Sequence, residues 1–205
     1  DQHPKPKRLD QHLFEFLVKI GRANDWGWPQ TLNRNGTVKV GPKRIYGDGF
    51  AIMGLTEYAR ATGSEEAIQA ALASYESVRK RMEIPGTHLD IPENLVRAAR
   101  CHGISMIFSI VFHELGKLLD DAAILKAGHE HAAQILDDHR HPDLGLLVEQ
   151  TALDGAVLAS PQGHQVNPGH AVESMWFLIH IFRDRRERAR IDQAIECMKW
   201  HVEKA

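Results

Sequence analysis

The segment VNPGHAVESMW, residues 166–176, contains side chains that can move a proton. His170 carries an imidazole, which accepts and returns protons near neutral pH because its ordinary pKa is about 6.5. Glu173 follows three residues later on the same face of a predicted helix, and a carboxylate within reach of an imidazole orients the ring and raises its basicity. Trp176 continues that face. The same spacing also fits ordinary helix-start residues, with Glu173 complementing the helix dipole and His170 acting as a polar cap.

Metal binding is not predicted from the other histidines or from the cysteines. His113 and Glu114 resemble the start of a zinc-protease HExxH motif, but Lys117 occupies the position of the second histidine. Solvated positions on an outer helix are predicted for His129, His131, His139 and His141. Cys101 and Cys197 lie far apart without CxxC spacing, which favours neither a zinc site nor a disulfide and fits a reducing, cytoplasmic setting.

Helical periodicity predicts the elements that position these residues. A first helix covers roughly residues 9–22, and Asn35 with Gly36 predicts a tight turn in a small hairpin or loop after it. Beyond that turn, an apolar helix followed by a more polar helix recurs three times. The predicted helices are residues 45–62 and 64–82, 95–119 and 122–139, and 169–183 and 191–204.

This repeat of helical hairpins is typical of an α-solenoid or an α/α toroid. In a toroid the apolar helices form an inner ring, and their N-terminal ends surround a central cavity together with the loops before them. The prediction places Tyr46, Asp48, His102 and the segment around His170 near one rim. The connection 144–169 is longer than most, and connections of that length are more often functional than structural.

Composition limits the class of protein. The 205 residues suffice for one core, so a single domain over residues 1–205 is predicted. A net charge of −2, with charged residues of both signs making up 25% of the chain, predicts no nucleic-acid partner. The longest apolar run, residues 104–112, is far shorter than the ~20 residues that span a bilayer, and no apolar signal-peptide core is present, so no membrane partner is predicted.

Several segments together resemble the N-acylglucosamine 2-epimerase family. The segment VNPGHAVESMWFL is similar to the family's NPGH-x-x-E-x-x-W-F-L motif. The Gly-Trp pair at Gly27 and Trp28 resembles the family's hairpin, and the segment IYGDGFAI, residues 45–52, resembles its inner-helix segment. Leu147, Val148 and Glu149 resemble a strip that precedes the histidine motif. The resemblance covers most of the chain from Asn24 onward.

The resemblance implies an all-α (α/α)6 barrel of toroid-type helical hairpins, and reversible proton transfer at C2 of a ring-opened, unphosphorylated sugar. It identifies His170 as the acid/base and Glu173 as the residue that supports it. Substrate contacts are expected from Trp176, Trp28, Asp48, Tyr46 and Glu149. The expected substrate is a free (N-acyl)hexosamine or hexose, epimerised or isomerised. No cofactor is expected, because acid/base groups suffice for an enediol route.

The chain departs from the family pattern in ways that leave alternatives open. The predicted helices make up about half of such a barrel. The family's second catalytic histidine and its early substrate-binding arginine have no counterpart, and His102 lies near a family histidine but is not predicted to be catalytic. One alternative is a glycoside hydrolase, whose carboxyl pair about 5–9.5 Å apart could come from Asp48, Glu149 or Glu173. Another is a non-catalytic module that binds a sugar or a protein. A half barrel would also expose apolar helix sides, so a homodimer is a further possibility.

Overall fold

The computed structural model describes residues 7–83 and 99–204, and most of these residues are helical. Its α-helices are α1 (Lys7–Ala23), α2 (Tyr46–Thr62), α3 (Glu65–Met82), α4 (His102–Leu119), α5 (Ala122–Gln134), α6 (Pro168–Asp184) and α7 (Arg188–Lys204). Its short strands are β1 (Thr31–Leu32), β2 (Val38–Val40), β3 (Ala99–Cys101), β4 (Arg140–His141), β5 (Leu146–Leu147) and β6 (Gln150–Ala152). A π-helical turn, Ile135–His139, and a 3-10 helix, Pro161–His164, complete the elements.

The described residues fall into two compact units, residues 7–83 and residues 99–204. In the first unit, α2 and α3 form a helical hairpin. Gly63 ends α2 in the left-handed conformation, with φ of 69°, and the Ser64 hydroxyl accepts a hydrogen bond from the Ala67 amide at the start of α3. Glycine and serine favour these two positions because one lacks a Cβ and the other offers a side-chain acceptor. Helix α1 packs beside the hairpin, where Phe14 stacks on Tyr58 with ring centroids 4.4 Å apart.

In the second unit, the apolar helix α4 packs against α5 and α6. The reversal between α4 and α5 uses Asp120 in the left-handed conformation, and the Asp121 carboxylate accepts from the amides of Ala123 and Ile124. The two helices approach closely at Gly128, where an added Cβ would lie 2.7 Å from the His113 amide nitrogen. Helix α6 packs in turn against α7.

Short antiparallel strands organise the long connection between α5 and α6. Strand β3 pairs with β6, and β4 pairs with β5. Residue 149 lies between β5 and β6, so these two pairings carry it to the beginning of α4. The connection predicted to be a functional loop is therefore an ordered set of short strands and one turn of 3-10 helix.

The predicted helical hairpins are confirmed, with three differences. Helix α4 begins at His102, and residues 99–101 of the predicted helix form strand β3 instead. Residues 95–98 of the predicted helix lie outside the described residues. The polar helix predicted over 122–139 ends as a π-helical turn. The prediction of a single domain stays a prediction. Within the two described ranges, no helix combines the length and the apolar character needed to cross a membrane.

Candidate functional site

The beginning of α6 presents His170 at the surface of the second unit. Pro168 occupies the first helical turn, where its missing N–H costs no hydrogen bond. The Asn167 side chain accepts a hydrogen bond of 3.3 Å from the His170 amide and so caps the helix. The His170 side chain keeps 43% of its surface exposed. The NPGH sequence therefore builds a helix start that fixes the histidine backbone and leaves its ring accessible.

The carboxylate that contacts His170 belongs to Glu149. The ring atom Nδ1 lies 3.1 Å from Glu149 Oε1 and 3.3 Å from Oε2. Because a carboxylate only accepts hydrogen bonds, this contact assigns the proton to Nδ1. The neutral ring then has a lone pair on Nε2, which can accept a proton from a substrate. A histidine base held by a carboxylate in this way is a recurrent arrangement in enzymes.

Glu149 is held in place through its backbone. Its amide donates to the Gln165 carbonyl at 2.8 Å, and its carbonyl accepts from the His102 amide at 2.9 Å. The preceding residue, Val148, exchanges two hydrogen bonds with His139, each of 3.0 Å, one from the Val148 amide to the His139 carbonyl and one from His139 Nδ1 to the Val148 carbonyl. The carboxylate that orients His170 is thus attached to a fixed segment of chain.

His102 completes a group of three side chains, His102, Glu149 and His170, called here the His102 cluster. Its ring is fully buried at the first residue of α4. Nε2 lies 3.0 Å from the Ser174 hydroxyl, which donates to the Ala171 carbonyl and therefore accepts from His102. Nδ1 lies 3.5 Å from Glu149 Oε1. The ring centroids of His102 and His170 are 6.3 Å apart, so one carboxylate faces two imidazoles.

The charges around this cluster favour an ionised Glu149. Burial alone would raise the pKa of Glu149, but the hydrogen bonds and charges of His102 and His170 outweigh it and hold the pKa below its usual value. His139 lies behind His102, with ring centroids 5.6 Å apart. Burial, together with the nearby His102, lowers the pKa of His139 to about 3, so its ring is neutral at physiological pH.

Glu173 does not contact His170 as the sequence interpretation implied, and the role of Trp176 in substrate binding stays a prediction. Glu173 is exposed, and no hydrogen bond or ion pair joins it to His170 in this described part of the chain. The assignment of Glu173 as the residue that orients His170 is therefore corrected to Glu149, because β5 and β6 bring Glu149 onto the ring. Trp176 is 60% exposed and stacks on His180, with ring centroids 6.4 Å apart.

The predicted site residues of the first unit are Asp48, Trp28 and Tyr46, and the contacts described for Asp48 and Trp28 are with other residues of that unit. Asp48 is fully buried and accepts a hydrogen bond of 2.6 Å from Arg81 and one of 3.3 Å from the Trp28 amide. Burial raises the pKa of Asp48 against the lowering effect of Arg81. Trp28 is buried and donates from its indole nitrogen to the Ser74 hydroxyl at 3.1 Å. Tyr46 is half-buried at the first residue of α2. Their role in substrate binding stays a prediction.

The prediction that four histidines of the α5 region are solvated is wrong. His139 is fully buried because the π-helical turn carries it inward, and half-buried positions are found for His129, His131 and His141. His129 contacts Glu187 at 3.0 Å, and His131 packs against Phe108 and Phe112. Sequence reasoning also missed Ser174 as the partner of His102. Its position four residues after His170 on α6 was the available signal.

Two groups of side chains have the composition of a metal site among the described residues. One is the His102 cluster, and the other is His113, Glu114 and His180. In each group one donor atom per residue lies within 4.8 Å of the others. The first group can also act as acid/base machinery without an ion, because Glu149 already orients His170.

Comparison with known proteins assigns the family. The family model described as N-acylglucosamine 2-epimerase (GlcNAc 2-epimerase) matches residues 4–205. This chain belongs to the N-acylglucosamine 2-epimerase family. Within the family, the N-acylglucosamine 2-epimerase of Homo sapiens is 26% identical over 195 residues, which are 91% of this chain and 45% of the human protein. The chain therefore spans about half the length of the curated relative that it matches.

Solved epimerase structures show the same fold. A sugar epimerase from a ruminal bacterium matches with a TM-score of 0.76 at 17% identity, over 94% of this chain and 52% of that chain. Cellobiose 2-epimerase from Bacillus thermoamylovorans matches with a TM-score of 0.77 at 16% identity, over 95% and 53%. The predicted all-α fold of toroid-type helical hairpins, about half of the full barrel, is thereby confirmed for this member of the N-acylglucosamine 2-epimerase family.

Proposed function

We propose that this chain carries the proton-transfer site of a sugar 2-epimerase or aldose–ketose isomerase that acts on a free (N-acyl)hexosamine or hexose. The observation that carries the proposal is the contact between His170 Nδ1 and Glu149, which leaves Nε2 of an accessible ring free to accept a proton. Family membership supports the reaction class. The names of the relatives, N-acylglucosamine 2-epimerase and cellobiose 2-epimerase, support a reducing sugar as the substrate.

In the proposed reaction, Nε2 of His170 takes the C2 proton of the ring-opened sugar. The C2–H electron pair then forms the C1–C2 double bond of an enediolate, and the charge moves to the former carbonyl oxygen. Glu149 stabilises the imidazolium that results, in the way that a buried carboxylate supports a histidine base. Delivery of a solvent proton to C2 on the opposite face gives the epimer, and His170 then releases the proton that it took to solvent. Return of the His170 proton to C1, with transfer of the C2 hydroxyl proton to the C1 oxygen, gives the ketose. Both outcomes regenerate the starting enzyme, so no redox partner is consumed.

The glycoside hydrolase alternative finds less support in the geometry. Asp48 is fully buried and paired with Arg81, and Glu149 is occupied by two imidazoles. A hydrolytic pair needs one carboxyl group that stays protonated, and the candidate with a raised pKa, Asp48, is fully buried and not accessible to a substrate. The alternative of a non-catalytic sugar- or protein-binding module is separated from the epimerase by the experiment below.

The test is proton NMR of N-acetylglucosamine, mannose, glucose and cellobiose incubated in D2O with the chain. Deuterium at C2 of one sugar with the unmutated chain, abolished by His170→Ala, is the expected result and names the substrate. His164→Ala is the matched control, because this exposed histidine contacts the Ser160 carbonyl and lies outside the His102 cluster. A folded chain that exchanges no deuterium in any sugar would refute self-sufficient activity and favour the binding module.

The setting and assembly of the protein follow as lesser proposals. We propose that it lies in the cytoplasm, where its two cysteines, Cys101 and Cys197, stay reduced thiols. A homodimer is proposed from the apolar side chains that α1 exposes at Leu9 and Leu13, which are 63% and 50% accessible. Gel filtration with light scattering measures this assembly state directly.

A further inference from the structure

The C-terminal halves of α4 and α6 carry a second polar cluster that the proposed reaction does not use. It consists of His113 and Glu114 on α4 and His180 on α6, and is called here the His180 cluster. His113 lies eleven residues beyond His102, and His180 lies ten residues beyond His170. At 1.5 Å of rise per residue, both spacings correspond to about 15 Å along the helices. The two clusters are therefore separate sites.

Direct contacts already hold the side chains of this cluster together. His180 Nε2 lies 2.9 Å from Glu114 Oε1, and the rings of His113 and His180 meet edge to face at 5.5 Å between centroids. His113 Nε2 lies 3.2 Å from Asp184 Oδ2, and Lys117 donates to the same oxygen at 2.7 Å. A carboxylate that contacts a histidine ring fixes its orientation, which is the usual second contact of a metal-bound histidine.

We propose that His113, Glu114 and His180 bind a divalent transition-metal ion of the Zn²⁺ type. A donor set of two imidazoles and one carboxylate favours such ions over Mg²⁺ or Ca²⁺. The donor atoms lie within 4.8 Å of one another, whereas tetrahedral Zn²⁺ ligands are roughly 3.3–3.6 Å apart. The ion therefore requires side-chain adjustments of about an ångström, and it replaces the proton shared by His180 and Glu114.

The fold supplies the ligand that the sequence motif lacks. In an HExxH motif the second histidine follows one helical turn after the first, and here that position is Lys117. Instead, α6 packs against α4 and brings His180 to Glu114 from 66 residues away. Glu114 and His180 retain 16% and 28% side-chain exposure, so an ion can reach the cluster from solvent.

The expected role of the ion is to link α4 to α6. Both helices begin at the His102 cluster, so a metal bridge near their other ends restrains the helix pair that carries the proposed catalytic residues. An ion that binds only the folded chain raises the melting temperature, and the increase grows with the logarithm of the free ion concentration once that exceeds the dissociation constant.

The test is titration of the untagged, metal-free chain with Co²⁺, followed by its visible absorption, and with Zn²⁺ in competition. One equivalent is expected to bind. His180→Ala is expected to weaken binding by at least ~100-fold, because loss of a ligand costs more than loss of an outer contact. Glu114→Gln, which keeps the hydrogen bond to His180, is expected to weaken it by at least ~10-fold. His170→Ala, the matched control, keeps full affinity.

Trp176 gives an independent signal because it stacks on His180. Co²⁺ is expected to quench part of the tryptophan fluorescence, and Trp176→Phe is expected to remove that quenching while leaving the Co²⁺ affinity unchanged. Failure to bind one equivalent of Co²⁺ or Zn²⁺ would overturn the proposal. So would binding that survives in His180→Ala and disappears in His170→Ala, since the ion would then occupy the His102 cluster.

Discussion

Glu149→Gln is expected to change which ring nitrogen of His170 carries the proton. In the unmutated chain the Glu149 carboxylate accepts from Nδ1 at 3.1 Å. A hydrogen bond to a charged group contributes about 1.5–3 kcal/mol, and the low end applies here because the His170 side chain is 43% exposed. Since 1.4 kcal/mol is a factor of about ten, the Nδ1–H form is expected to exceed the Nε2–H form by roughly tenfold.

Glu149→Gln removes the negative charge of the carboxylate and adds a hydrogen-bond donor, the side-chain amide NH2 group. A glutamine amide can accept from Nδ1–H or donate to a bare Nδ1, and these two neutral contacts are of similar strength. The tenfold preference should therefore fall to within a few-fold of unity. The assay is nitrogen NMR of the imidazole rings, whose chemical shifts distinguish the Nδ1–H from the Nε2–H form of a neutral ring.

Glu173→Gln is the matched control because Glu173 lies three residues from His170 on the same helix and is exposed. It should leave the Nδ1–H preference intact. A loss of the preference in Glu173→Gln together with its persistence in Glu149→Gln would refute the assignment of Glu149. This measurement needs no turnover, so it remains decisive even if the chain requires further residues for activity.

Three further predictions concern packing and buried charge. Gly128→Ala should lower the free energy of unfolding by ~1–3 kcal/mol, because the new methyl group meets backbone atoms of α4. Gly54→Ala, which places its methyl group in open space, should not destabilise the chain. Urea unfolding of both variants measures the difference. Arg81→Met should lower the free energy of unfolding by ~3–5 kcal/mol, because it removes the cation that pairs with the buried Asp48 carboxylate. Adding Asp48→Asn should restore most of that stability. An equal loss of stability in the double variant would contradict this explanation. Since burial lowers the pKa of His139 to about 3 while the unfolded chain titrates near 6.5, folded stability should fall by up to ~1.4 kcal/mol per pH unit as the pH drops between those values. His139→Gln should flatten that dependence in urea unfolding at several pH values, and an unchanged slope would argue against it.

The helices were predictable from the sequence because their ends are determined locally. Gly63 with Ser64, and Asp120 with Asp121, satisfy the free backbone groups of two successive helices with their own conformation and side chains. Apolar periodicity then distinguishes the helix buried on most sides from its polar partner. Hairpin order follows from these signals alone.

The candidate site was predictable only in part. His170 was identified because its neighbours form a recognisable helix start, but its partner Glu149 lies 21 residues earlier and arrives through two short strand pairings. The pairing of His180 with Glu114 spans 66 residues and depends on which faces α4 and α6 bury against each other. Such contacts arise from tertiary packing, which periodicity does not specify.

The π-helical turn at Ile135–His139 makes the environment of His139 depend on how the backbone winds as well as on residue type. Each residue of the wider turn advances less around the helix axis than in an α-helix, so over five residues the side-chain direction lags by roughly a quarter turn. If all five residues wound as an α-helix instead, His139 would turn by that amount away from its present buried direction. The two hydrogen bonds between His139 and Val148 would then be lost. Glu149 would lose the support of its neighbour Val148 although no residue next to it in the sequence had changed. The winding of the chain at the end of α5 therefore helps to set the position of Glu149, and through it the orientation of the His170 ring.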